Sequence, residues 1–145
     1  ASVMNSDADS KPKELTLLGR SEISLPASPS RDTLEVFPNR NPGRDYWIEL
    51  DCPEFSSLCP VTGQPDTAHV VIRYVPNERC VETKSLKYYL ASYRNEPRFN
   101  EDIINGIADD LIAVCEPRQL SITGAFSARG GISLTVTIDH PSEEA

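Results

Sequence analysis

Cys59 stands in the run FSSLCPVTGQPD, residues 55–66, flanked by small polar residues and a proline, with Asp66 seven positions on. A thiol in that setting can be a small buried hydrophobe, half of a disulfide, a metal ligand or a nucleophile. Cysteine is often just core filler, but Ser56, Ser57, Pro60, Thr62 and Gly63 make a polar loop rather than an apolar face. The nucleophilic form is the thiolate, a few per cent of a free thiol at neutral pH, so that role needs a cation or a helix N-terminus nearby. Lys84 and Lys87 are cations the sequence offers. A zinc site would draw on Cys52, Cys59, His69 and Cys80, yet their spacings of six, nine and ten intervening residues are unlike the short Cys pairs of zinc knuckles. A Cys52–Cys59 disulfide is allowed by loop length and disfavoured in a reducing compartment.

The carboxylates pose a parallel choice. Asp66 follows Pro65 and precedes Thr67 as a turn residue would; beside an exposed thiol it could equally give or take a proton. Glu82 and Glu101 fall at or just before expected helix starts, where a negative charge favours the helix dipole. The same groups can accept paired hydrogen bonds from an amidine-like N–H edge such as that of guanine. Lys84 and Lys87, one helical turn apart, read as solvated helix charges or as a phosphate grip. Tyr88, Tyr89 and Tyr93 read as core or interface, and His69 as a strand residue.

These residues need elements to position them. YWIELDC and AHVVIRYV are β-rich runs bounded by Pro, Gly and Asp, two neighbouring strands with Cys59 in the loop between them. In TKSLKYYLASYRN, Leu86, Tyr89, Leu90 and Tyr93 recur at i, i+3, i+4, i+7, one apolar stripe of a helix. Ile103, Ile104, Ile107, Ala108, Leu111, Ile112 and Cys115 make a second amphipathic helix, with Asn100 expected as its N-cap and Pro117 after its end. LSITGAF and ISLTVTID alternate with period two around SARGG and form a hairpin. The order ββααββ predicts an α+β fold, two helices on one face of an antiparallel sheet whose free edges call for oligomerisation. Residues 15–44, broken by Pro and Gly, should lie as irregular chain over the core.

A length of 145 residues allows one domain. It is expected over 14–145, behind a polar, mobile arm at 1–13 that has too little apolar surface to offset its ordering entropy. The formal charge of -8 argues against nucleic acid or an anionic membrane as partner. No run of 18 apolar residues occurs, and ASVMNSDADS has neither a basic nor an apolar stretch, so neither a membrane span nor a secretion signal is expected. With four cysteines read as free thiols, the chain is expected in the cytoplasm.

CPEFSSLCPVTGQPD, VETKSLKYYLASYRN, FNEDIINGIADDLI and FSARGGIS together strongly resemble the single-module 7-cyano-7-deazaguanine reductases, the NADPH-dependent nitrile reductases of queuosine biosynthesis. The likeness runs from about Leu15 to Ile138. Two motifs make it specific: the Cys-to-Asp loop, and Glu82-Thr83-Lys84-Ser85-Leu86-Lys87-Tyr88, which matches the family's Glu-x-Lys-x-hydrophobic-Lys-aromatic signature. The second motif separates it from the zinc-dependent cyclohydrolases of the same tunnelling fold, which stand as one alternative; a non-catalytic purine or pterin binder is the other. The resemblance implies rings, typically two face-to-face pentamers, with sites at subunit interfaces and no metal. It implies that Cys59 adds to the nitrile carbon as a covalent thioimide, that Asp66 donates protons and that NADPH supplies two hydrides. Val81, Glu82, Thr83, Phe99, Asn100 and Glu101 would then bind 7-cyano-7-deazaguanine. Lys84, Ser85 and Lys87 would meet the cofactor, with Arg129 assisting. Asn100 departs from the family, which usually has histidine there; an amide cannot exchange a proton near neutral pH.

Overall fold

The computed structural model describes residues 24–142; the arm expected over 1–13 lies outside them. Strands β2 (Ile48–Leu58), β3 (Pro65–Val75), β5 (Gln119–Arg129) and β6 (Ile132–His140) form one antiparallel sheet in the order β2-β3-β5-β6. Between β3 and β5 the chain makes helices α1 (Thr83–Ala91) and α2 (Asn100–Cys115). The expected ββααββ order is present, and the two helices share one face of the sheet. A ladder the sequence did not suggest joins β1 (Val36–Pro38) to β4 (Arg79–Val81), drawing the irregular segment before the sheet against the entrance to α1.

Period two sets the layers. Along β3 the residues Asp66, Ala68, Val70, Ile72 and Tyr74 are buried, while Thr67, His69 and Arg73 face solvent. The inward set meets Ile103, Ile104 and Ile107 of α2, all fully buried, and Leu86, Tyr89 and Leu90 of α1. Removing one such isoleucine side chain typically costs ~2–5 kcal/mol, a large share of a small domain's margin. α2 lies very close to β5 at Gly124, where an added Cβ would come within 2.5 Å of Ile104 Cδ1.

Three local expectations are revised. β2 and β3 run further towards each other than the apolar runs suggested, leaving only Cys59–Gln64 between them. A register shift between Cys52 and Phe55 takes up Pro53, which cannot donate to a ladder, so the strand continues past it. The helix expected through Asn95 stops at Ala91 and continues as a 3-10 turn, Ser92–Asn95, in which the Ser92 hydroxyl donates to Tyr89 O. Asn100 is the first helical residue of α2 rather than its cap; the cap position belongs to Phe99, which gives no side-chain bond. Its own N–H is thereby among the helix's unsatisfied donors while its amide is freed for another task.

Candidate active site

The Cys59 turn is tightly built. Cys59 N–H donates to Gln64 O at 2.8 Å and Gly63 N–H to Cys59 O at 2.8 Å, with Gly63 at φ 74, the left-handed conformation glycine adopts most readily. The chain folds back so that Thr62 N–H points at Cys59 Sγ, 3.5 Å away. Hydrogen bonds from the Thr62 side chain, and then from the Thr62 and Val61 backbone, pull the thiol below its ordinary range, and the Arg129 charge adds a smaller pull. Each favours the charged form. Two other cysteines go the other way: burial raises Cys52 and pushes Cys115 up to about 12. Cys59 is the half-exposed thiol primed to ionise; Cys80 and Cys115 are buried, and all four cysteines are free.

Asp66 begins the inward face of β3, directly across from Ser57 in the ladder. It is 8% exposed and accepts from Arg129 Nε at 2.6 Å through Oδ1. Ser57 lies two residues before Cys59, is fully buried, and its hydroxyl has no hydrogen-bond partner among the described residues. Strand alternation alone placed it on the inner face with Phe55, a signal in the sequence that went unused.

The start of α2 is brought to the same corner. Leu58 N–H donates to Glu96 O at 3.1 Å and Leu58 bridges Pro97 in parallel, so Phe99, Asn100 and Glu101 follow close upon the Cys59 turn. Phe99 is 58% exposed, an aromatic face open to a flat partner. Asn100 Oδ1 is buried without a partner among the described residues. Glu101 is exposed in the first turn of α2.

The second motif forms a separate group at the start of α1. Glu82 is buried and caps the helix, Oε1 accepting from Ser85 N–H at 2.7 Å and Oε2 from Lys84 N–H at 2.9 Å. The helix-capping reading of Glu82 is therefore realised, with lone pairs to spare on each oxygen. Val81 is buried, its N–H donating to Tyr74 Oη at 3.0 Å. Ser85 does not face outward as a cofactor contact would: it is fully buried, its hydroxyl donating to Glu82 O at 2.7 Å and accepting from Glu35 N–H at 2.9 Å. Thr83 and Lys87 line a groove of about 620 Å³ between α1 and residues 49–56 of β2. Lys84 and Lys87 enter none of the ion pairs found among the described residues.

The zinc candidates do not gather. His69 is on the outer face of β3, paired with Asp51, Cys80 is buried in β4, and no three potential ligands converge among the described residues. Arg129 lies with the Cys59 group, not with the lysines. No helix among the described residues is long and apolar enough to cross a membrane.

With this geometry in hand, comparison with known proteins is direct. The model of the QueF-like protein family matches residues 65–145. The NADPH-dependent 7-cyano-7-deazaguanine reductase of Magnetococcus marinus is 53% identical over 117 residues, covering 81% of this chain and 91% of that one. Its namesake from Streptococcus mutans is 49% identical over 122 residues, covering 84% of this chain and 75% of that one. Among solved structures, the archaeosine synthase QueF-Like in its apo form superposes with a TM-score of 0.63 at 19% identity, over 68% of this chain and 96% of that one. At that identity the likeness is one of fold.

Proposed function

The chain belongs to the QueF-like family, and we propose that Cys59 is the nucleophile through which it works. It is an NADPH-dependent oxidoreductase that converts the nitrile of 7-cyano-7-deazaguanine to an aminomethyl group, the nitrile reduction of queuosine biosynthesis. The observation that carries the nucleophile assignment is the Thr62 N–H aimed at a half-exposed Cys59 sulfur, with Asp66 on the neighbouring strand.

The Cys59 thiolate adds to the nitrile carbon: a C–S bond forms and one C–N π pair moves to nitrogen, which takes a proton and leaves a thioimide. Asp66 is the proton source, its Oδ2 being the oxygen not engaged by Arg129. NADPH would supply one hydride per molecule, so two molecules would be used in turn. After the first has reached carbon, Cys59 departs with the C–S pair; two hydrides and two protons in all give the amine. Covalent capture divides a four-electron reduction into smaller steps.

Phe99 covers the purine-like ring, and Glu101 accepts from its guanine-like N–H edge. Asn100 offers its buried, unpartnered Oδ1 to a substrate donor, a hydrogen bond where an imidazole would also exchange a proton. Lys84 and Lys87 fit the cofactor in charge, two cations one turn apart that enter no ion pair among the described residues, Lys87 lining an open groove, and would hold its 2'-phosphate; Ser85 holds Glu82 and Glu35 together within the first turn. Val81, Glu82 and Thr83 complete the substrate's surroundings. The two groups stand at the starts of α1 and α2, and among the described residues β2 and β6 are the edge strands of the sheet. A neighbouring copy that brings its Glu82 group to this Cys59 corner completes the site and covers an edge; two rings of five are the assembly we propose. Free thiols and a reduced dinucleotide suit the cytoplasm.

The test is intact mass after mixing with 7-cyano-7-deazaguanine without NADPH. A gain equal to the nitrile's mass, absent in Cys59→Ala, is expected; no gain in the unaltered chain would remove the nucleophile.

A further inference from the structure

We propose that Ser57 is a further catalytic residue of the nitrile reduction: its hydroxyl donates to the nitrile nitrogen as Cys59 attacks the carbon, and holds that nitrogen for the proton from Asp66. This rests on the reading of Cys59 and Asp66 given above and adds a donor to that machinery.

A bulge aims the side chain. In the first part of β2, Ile48, Leu50 and Cys52 pack towards the core, the even-numbered residues of an alternating strand. Had that alternation run on, Glu54 and Ser56 would follow them inward. The register shift between Cys52 and Phe55 reverses the phase, as bulges do when they re-aim side chains. Beyond it Phe55 and Ser57 are buried, while Glu54 is exposed and Ser56 only partly covered. Phe55 packs on Tyr93, ring centroids 5.6 Å apart, and Ser57 comes level with Asp66 in the ladder.

The resting chain gives this hydroxyl no partner among the described residues, although Ser57 is 0% exposed. Buried polar groups are nearly always hydrogen-bonded, so one left open calls for a catalytic or ligand-binding account. A serine kept merely for its small size would be served better by alanine, which carries no unmet donor.

The placement fits a nitrile bonded to Cys59. Two residues of strand advance about 6.6 Å, and Cys59 is two residues beyond Ser57. A carbon–nitrogen unit on the sulfur followed by one hydrogen bond of about 3 Å spans that interval. Burial deepens in the same direction: Cys59 is half-exposed, Asp66 is 8% exposed and Ser57 is closed off. The thiol stands at the mouth and the two oxygen groups at the floor, where only the slender nitrile end of the substrate needs to reach.

As sulfur bonds to carbon, one C–N π pair moves to nitrogen, where negative charge builds. The Ser57 O–H donates to it and keeps its own proton, while Asp66 gives the proton that makes the thioimide N–H. A preorganised donor aimed at developing charge is worth most in a site shielded from water. The corner holds a second unpartnered buried atom, Asn100 Oδ1, on the helix whose approach the Leu58–Pro97 bridge brings alongside. A hydroxyl donates where an amide oxygen only accepts, so between them they serve a nitrogen that begins with a lone pair and ends with an N–H.

The experiment compares Ser57→Ala and Ser57→Thr with the unaltered chain. Adduct formation with 7-cyano-7-deazaguanine is timed by intact mass without cofactor. Alkylation of Cys59 by iodoacetamide, which offers no nitrile, is followed against pH, and melting temperature is recorded on the same samples. For Ser57→Ala the expected result is adduct formation slowed about tenfold or more, an alkylation profile that does not move, and a melting temperature equal or higher. Ser57→Thr, which keeps the hydroxyl, recovers part of the adduct rate. Adduct formation as fast in Ser57→Ala as in the unaltered chain would overturn the proposal. Equal slowing of adduct formation and alkylation would overturn it too, since Ser57 would then act on the sulfur rather than on the nitrile. If the unaltered chain forms no adduct, the nucleophile reading itself fails and takes this proposal with it, an outcome distinct from both. Should Ser57→Ala not fold, Ser57→Gly is measured against the same criteria.

Discussion

Leu58 and Pro97 lie side by side as a parallel bridge, and the Leu58 N–H donates to Glu96 O at 3.1 Å. That contact joins the end of β2 to the approach of α2 and so seats the reactive turn next to Phe99, Asn100 and Glu101. Thirty-eight residues of sequence lie between Leu58 and Pro97; one bridge closes the distance.

The thiol of Cys59 is pulled down first by its bonds from Thr62. A lowered pKa means that the thiolate, and with it the alkylation rate, appears at lower pH than for a free thiol of about 8.5 and is lost only as pH falls through the lowered value. Thr62→Val removes the hydroxyl and shifts the alkylation profile of Cys59 to higher pH. An unmoved profile would show that the turn does not activate the sulfur.

Ser57→Ala separates stability from activity. Its buried hydroxyl has no partner among the described residues, and an unmet buried polar group costs about 1–3 kcal/mol. Removing it leaves thermal stability equal or higher, while turnover falls because the hydroxyl, across from Asp66, is kept for the bound nitrile or its nitrogen. Melting temperature and NADPH oxidation on the same sample check both halves; lower stability with full activity would refute the account.

Lys84→Ala combined with Lys87→Ala raises KM for NADPH far more than KM for the nitrile. Losing two phosphate contacts at about 1.5–3 kcal/mol each for hydrogen bonds to charged groups corresponds to about a hundredfold or more weaker cofactor binding. Equal changes in the two constants would contradict the cofactor role.

Asn100→His restores an exchangeable proton at the start of α2. General acid catalysis typically contributes about 10²–10⁴-fold, so a turnover increase of several-fold is expected, largest near pH 6–7 where imidazole titrates. A flat or lower rate would mean that Asp66 already delivers every proton needed.

The elements could be read from the sequence because hydrophobic period reports directly on burial: Ile103, Ile104 and Ile107 announce α2, and the alternation from Ala68 to Tyr74 announces β3. The β1–β4 ladder could not, since three-residue strands carry too little pattern and depend on a distant partner. Local bonding also escaped notice. Ser92 diverts its hydroxyl to Tyr89 O and ends α1 early, and nothing in SYRN states that preference against helix. In the site, motif spacing named Cys59, Asp66 and the lysines, whereas Arg129 was put beside the cofactor by the resemblance alone; the structure shows that it meets Asp66. Ser85 was misplaced for a related reason, because the motif gives spacing but not which way a hydroxyl turns.

The missing side chain at position 124 binds two positions into one size limit. Ile104 occupies the room that any Cβ on β5 would claim, so an alanine or serine at 124 in another version of this sequence should travel with valine or something smaller at 104. Drift at 124 alone would wedge the helical layer away from the strands, and with it the start of α2 that carries Asn100.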